Sequence, residues 1–207
     1  MQRMARRVLM CVAALGAGAA SAADFSDPTW PCVQRKVETL SPGLMWPFPL
    51  EADVQEPEPD QAENVRDLAD ALALRRVTLD DLRPQVAAFA TQYDGDPEKL
   101  GLVFQRVFAS LSKRRARVMA GIADFSLGQI ELAQKIDQSR VEMTQLLEAT
   151  APDYDKVDLL EEQIDWDTVI HTDRQRSITY LCETPQIIER RLFAIARMLQ
   201  EVAKPPG

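Results

Sequence analysis

Between Pro97 and Val202 apolar residues recur at helical spacing, with one interruption at Ala151-Pro152-Asp153. Upstream of the turn, one column repeats every seven residues: Phe104, Leu111, Val118, Phe125, Leu132, Ser139 and Leu146. A companion column four residues on holds Phe108, Ile122, Ile136 and Met143 and is broken by Arg115 and Gln129. A heptad pattern sustained over so many turns is the mark of a coiled coil. No proline interrupts it between Glu98 and Ala151, so the first helix should extend about 80 Å at 1.5 Å per residue. Downstream, Val157, Leu160, Ile164, Ile178, Leu181, Ile188, Leu192, Ile195, Leu199 and Val202 step by three and four, with Asp167, His171, Arg174 and Pro185 in the intervening places. Two long helices joined by so short a loop must be antiparallel neighbours. Reflection through residue 152 sets His171 near Ala133, Asp167 near Asp137 and Cys182 near Ile122. Pro185 should bend the second helix.

Shorter elements precede the hairpin. A narrow apolar stripe over 61–75 (Val65, Leu68, Ala71 or Leu72, Leu74) and a second over 78–93 (Leu82, Val86, Phe89, Ala90) predict two short helices. Thr78 with Asp81 resembles a capping box, and Pro84 should kink the second helix or mark its start. Asp96-Pro97-Glu98 gives the first long helix an N-cap, a proline at its first position and an acid at the positive end of its dipole. That capping also accounts for the calcium-like spacing Asp94-x-Asp96-x-Glu98, which lacks the later ligands of a calcium loop.

The expectation is an all-α protein: a long antiparallel coiled-coil hairpin (97–150 and 154–202) whose open end is completed by the two short helices into a four-helix bundle. Beyond Ile122 the hairpin should project alone as an arm. Residues 24–60 read as an irregular leader, rich in proline and tryptophan, passing into an acidic linker with Pro57 and Pro59. Residues 204–207 read as a frayed tail.

The first 23 residues carry a different signature. Arg3, Arg6 and Arg7 precede an uncharged run from Val8 to Ala20 and a small-x-small ending at Ala20-Ser21-Ala22 or Ser21-Ala22-Ala23, the pattern of a cleavable signal peptide. Cys11 sits too early, behind Met10, for a lipoprotein signal. The expectation is a periplasmic or secreted protein with no membrane span in the mature chain. The full chain has 24 basic and 32 acidic residues. Losing the three arginines leaves 21 against 32, a net charge of −11, which argues against nucleic acid and anionic membrane surfaces as partners. The mature chain keeps only Cys32 and Cys182, and two thiols in an oxidising compartment point to one disulfide.

Candidate functional residues are few. Trp30, Trp46 and Phe48 lie on a leader with no core of its own; they either plug the bundle end or, with Tyr154 at the arm tip, form a recognition surface. His171, the single histidine, shares a helix face with Asp167, but two ligands from one helix do not complete a metal site, and a polar layer setting coiled-coil register explains both. No cofactor motif and no nucleophile–base pattern is present. In the basic run Lys113-Arg114-Arg115-Ala116-Arg117, Arg114 and Arg115 should pair with acids such as Glu183, Glu189 or the linker.

The opening Trp30-Pro31-Cys32-Val33-Gln34-Arg35-Lys36-Val37, with Tyr180-Leu181-Cys182-Glu183 and Glu189-Arg190-Arg191-Leu192-Phe193-Ala194, resembles a group of small exported bacterial helical proteins with a WPCxQRKV-like opening. The resemblance implies an exported helical protein whose two cysteines belong together, and it brings no activity with it. The expected function is therefore a non-enzymatic interaction or scaffold protein that offers its arm to a protein of the cell envelope. The alternatives are a holdase-type chaperone and a small-ligand or metal carrier using the bundle end.

Overall fold

The computed structural model describes residues 27–50 and 58–204. The expected signal peptide (1–23), most of the acidic linker and the end of the tail lie outside them. The described chain is all-helical: α1 (Pro59–Ala73), α2 (Leu79–Gln92), α3 (Pro97–Glu148) and α4 (Tyr154–Val202), with a single 3-10 turn at Pro42–Leu44. The two long helices pack on each other, α1 packs on α3, α2 on α4, and α1 on α2. The core lies at the open end of the hairpin, where Leu72, Val86, Leu100, Phe104, Leu192 and Leu199 are fully buried.

The caps follow the sequence. Thr78 accepts from the Asp81 amide, Asp96 from that of Glu98 and Asp153 from that of Lys156, satisfying donors that the first helical turn leaves open. Between α2 and α3, Asp94 and Gly95 both adopt positive φ, so that the Gly95 amide reaches back to Ala90 O at 2.7 Å while its carbonyl accepts from Lys204 N at 2.8 Å. That second bond fastens the end of α4 to the turn. A Cβ at Gly95 would lie 3.0 Å from Val202 O, so the close approach needs glycine there.

Both ends of α1 differ from expectation for a local reason. α1 starts at Pro59, not 61, because proline at the first helical position costs no hydrogen bond. It ends at Ala73 because Leu74 turns extended. α2 and α4 each run unbroken through their proline, Pro84 and Pro185. Beside Pro185, the Thr184 hydroxyl donates back to Tyr180 O at 3.1 Å.

The leader is the element that the sequence described least well. It runs along the hairpin against the direction of α3. The Ser126 hydroxyl donates to Pro28 O at 2.6 Å; Cys32 is bonded to Cys182, beside Met119 and Ile122; Arg115 donates to Val37 O and Glu38 O; Gln200 Nε2 donates to Met45 O at 2.6 Å; and Trp46 stacks on Phe104. The uncovered arm therefore begins beyond Ser126 rather than at Ile122. At the inner end of this path Gly101 faces the Trp46 indole, and a Cβ there would stand 3.5 Å from Trp46 Nε1 and from Leu50 Cδ2, an ordinary separation. Gly101→Ala is expected to stabilise the protein by up to about 1 kcal/mol through helix propensity. Gly101→Leu should overpack the indole and cost about 1–3 kcal/mol. Denaturant midpoints of the two variants check both signs.

Candidate functional site

Polar residues break the sequence columns, and the structure gives partners to Arg115, Gln129 and Asp167 among them. Arg115, nearly fully buried, places Nε 2.6 Å from Glu189 Oε1. Gln129 Nε2 donates to His171 O at 3.0 Å, and Lys135 Nζ lies 2.9 Å from Asp167 Oδ2. The reflected register holds to within about a turn: His171 meets Gln129 rather than Ala133, and Asp167 meets Lys135 rather than Asp137. Among the described residues, no three of His, Cys, Asp and Glu are grouped as ligands for a metal.

Among the described residues Arg114 pairs with no acid and reaches Ala73 O at 3.4 Å. Arg191 joins it, donating to Leu72 O, Leu74 O and Val77 O at 2.8–3.1 Å. α1 has no basic residue in its own last turn, so two arginines from the long helices supply the cations that its carbonyl end favours. Burial, and then the nearby Arg114 charge, lower the Arg191 pKa.

The structure does not bring Trp30, Trp46 and Phe48 together as one surface. Trp30 is buried beside the disulfide, with its Nε1 donating to Gln34 O. Trp46 is buried in the main core, stacked on Phe104 and edge-on to Phe48, which is itself half-buried against that core. The two tryptophans are thus unavailable as a recognition surface: their burial helps to recover the cost of ordering a leader along two helices. Only Tyr154, 65 % exposed at the arm tip, is open to solvent among the four.

The outer end of the leader is held by charge. Asp27 accepts from the Thr29 hydroxyl at 2.6 Å and from Lys36 Nζ at 2.9 Å. The Thr29 hydroxyl, followed by Lys36 and the Thr29 amide, holds its carboxyl at about 2, against an ordinary 3.8. A depressed carboxyl pKa stabilises the fold above the unfolded value and loses that contribution as pH falls through the folded one. Between about pH 4 and pH 2 the segment 27–36 should therefore loosen, and Asp27→Asn should remove that pH dependence. Amide exchange across 29–36 measures it.

The arm carries an unexpected feature. On α4, Leu159 (67 %), Trp166 (64 %), Val169 (53 %) and Ile170 (40 %) are exposed, whereas Ile164 and Asp167 are buried in the seam. Leu159, Trp166 and Ile170 fall within about 40° of one another on a helical wheel, so they form one outward face. Glu162, Asp165, Trp166 and Val169 line a shallow depression of about 270 Å³ on it. α3 exposes Leu127, Ile130 and Val141 over the same stretch. These residues lie off the seam; a helical wheel gathers Leu159, Trp166 and Ile170 on one side, and their exposure in the fold makes that side a free face.

At about 270 Å³ the depression beside Trp166 is below the usual range of about 300–1,000 Å³ for a small-molecule site. So is one of about 220 Å³ beside the disulfide, lined by Phe125, Gln129, His171 and Ile178. A cleft of about 520 Å³ between α2 and α4 includes Arg83, Arg190, Phe193 and Arg197, but Arg83 is already held by Asp80 and Glu201. Among the described residues no helix is long and apolar enough to cross a membrane. No family model matches the chain, and neither a curated protein nor a solved structure matches it.

Proposed function

We propose that the protein is an exported, non-enzymatic interaction or scaffold protein whose coiled-coil arm binds a protein of the cell envelope. The observation that carries this reading is the outward apolar face of α4, Leu159 to Ile170, in the part of the hairpin beyond the leader. An arm that satisfies itself as a hairpin needs only one seam. A second apolar face gains nothing for the fold and is of the kind that marks interaction sites. Export is supported by the basic–apolar–small pattern of residues 1–23 and by the Cys32–Cys182 bridge, which suits an oxidising compartment.

The test is in-cell crosslinking with a photoreactive residue at Tyr154, compared with one at Phe193 on the bundle. The expected result is a discrete protein adduct from Tyr154 that is absent from Phe193 and is lost when Leu159→Glu and Ile170→Glu are combined. Equal adducts at both sites, or none from the arm, would overturn the reading.

A further inference from the structure

We propose that the outward face of α4, anchored on Trp166 beside Glu162 and Asp165, binds a basic amphipathic helix of a partner protein. The inference rests on the reading of the arm as a partner-binding element and adds the partner's chemistry.

The charge around the face selects the occupant. Residues 155–174 contain seven acids (Asp155, Asp158, Glu161, Glu162, Asp165, Asp167 and Asp173) against two fixed cations, Lys156 and Arg174. Asp167 is turned into the seam toward Lys135; Glu162 and Asp165 line the depression beside Trp166. A second copy of this chain would set acid against acid, and an anionic lipid surface would be repelled in the same way. A surface with lysine or arginine around an apolar stripe is complementary on both counts. A cation laid over an exposed indole gains a further attraction from the ring face, with the two carboxylates placed to receive its head group.

The geometry selects a helix. Leu159 to Ile170 spans about 16 Å, or three helical turns, and its apolar residues sit at i, i+7, i+10 and i+11. That is a ridge for helix packing or a groove-bound helix. An intact α-helix has no free strand edge to pair with an extended peptide. The face is small beside a standard protein interface, so the affinity belongs with weak, transient contacts.

Trp166 is also the reporter. Of three tryptophans, Trp30 and Trp46 are buried and Trp166 is exposed, so added apolar cover should shift the emission of Trp166 alone to shorter wavelength. The probe is a synthetic helical peptide of about 18 residues, with leucine at the i, i+3, i+4, i+7 positions and lysine elsewhere. It is compared with the same peptide carrying glutamate, and both are added to the full disulfide-bonded chain. The lysine peptide should bind saturably with a blue shift, and the glutamate peptide should not. By anisotropy of labelled peptide, Trp166→Ala should weaken binding at least about tenfold, as expected of an aromatic anchor. Glu162→Lys with Asp165→Lys should abolish it. All three residues are on the surface, and unchanged melting of the variants confirms that they fold.

Binding by Trp166→Ala within about twofold of the parent chain would reveal bulk charge attraction and overturn the proposal, since an anchor costs far more. Failure of the lysine peptide would do the same. Phosphatidylglycerol vesicles producing the blue shift would make the face a lipid surface instead. If the lysine peptide fails while the Tyr154 adduct persists, only the partner's chemistry is wrong. If the adduct moves to Phe193, the arm reading falls with it.

Discussion

Replacing Cys32 and Cys182 together by serine is expected to destabilise the protein by about 3–5 kcal/mol, read from denaturant midpoints. The bridge joins residues 150 apart, so reduction frees a very long loop in the unfolded chain. Loop-entropy arguments place such closures at the top of the usual range. The effect in the folded state is local. Cys32 and Cys182 are buried with Trp30, Met119 and Ile122 in a small cluster separate from the main core. Losing the bridge should expose Trp30 and loosen the leader from Pro28 to Lys36, while α1 and α2 keep their packing. A fluorescence red shift together with intact helical content would show that order of events. An unchanged midpoint would mean that the leader's other attachments suffice without it.

Arg115→Met should cost about 3 kcal/mol, for a different reason. The guanidinium is 4 % exposed and serves three acceptors: the Glu189 carboxylate, Glu38 O and Val37 O. Removing it leaves a partly desolvated carboxylate without its cation and two carbonyls without their donor. Such one-sided losses are costly because the surviving groups stay out of water. Glu189 keeps some solvent access, which holds the figure at the lower end of the range for buried pairs. Arg115→Lys should recover only part of the loss, since one ammonium cannot span the planar fork. Changing Glu189 to methionine in the Arg115→Met background should restore some stability by removing the stranded charge. Melting of the parent, Arg115→Met, Glu189→Met and the double variant tests the cycle, and parent-like stability of Arg115→Met would contradict it.

The parts of the fold that were legible in the sequence are those written in local chemistry. The seven-residue column from Phe104 to Leu146 marked α3, the turn at Pro152 made it a hairpin, and Thr78, Asp96 and Asp153 marked helix starts. What escaped was written in the backbone of other segments. Arg114 and Arg191 bind main-chain oxygens at the end of α1, and Arg115 binds those of the leader; no side-chain pattern reveals such partners. The path of the leader from Ser126 to Gly101 was hidden for the same reason, since Ser126 and Gln200 hold it through carbonyls. Trp166 escaped for another cause: the seam accounts for α4 as a helix by itself, and Leu159, Trp166, Val169 and Ile170 lie off it. Their wheel positions were available, and only their exposure in the folded chain separates a spare apolar face from a buried one.

The most direct test of the arm as a binding surface is a crosslinking scan along α4, with a photoreactive residue placed singly at each position from 158 to 171 in the full chain. Adducts to a partner at Leu159, Glu162, Trp166 and Ile170, with Ile164 and Asp167 silent, would reproduce the helical period of the outward face. Adducts without that period, or none along the whole segment, would contradict it.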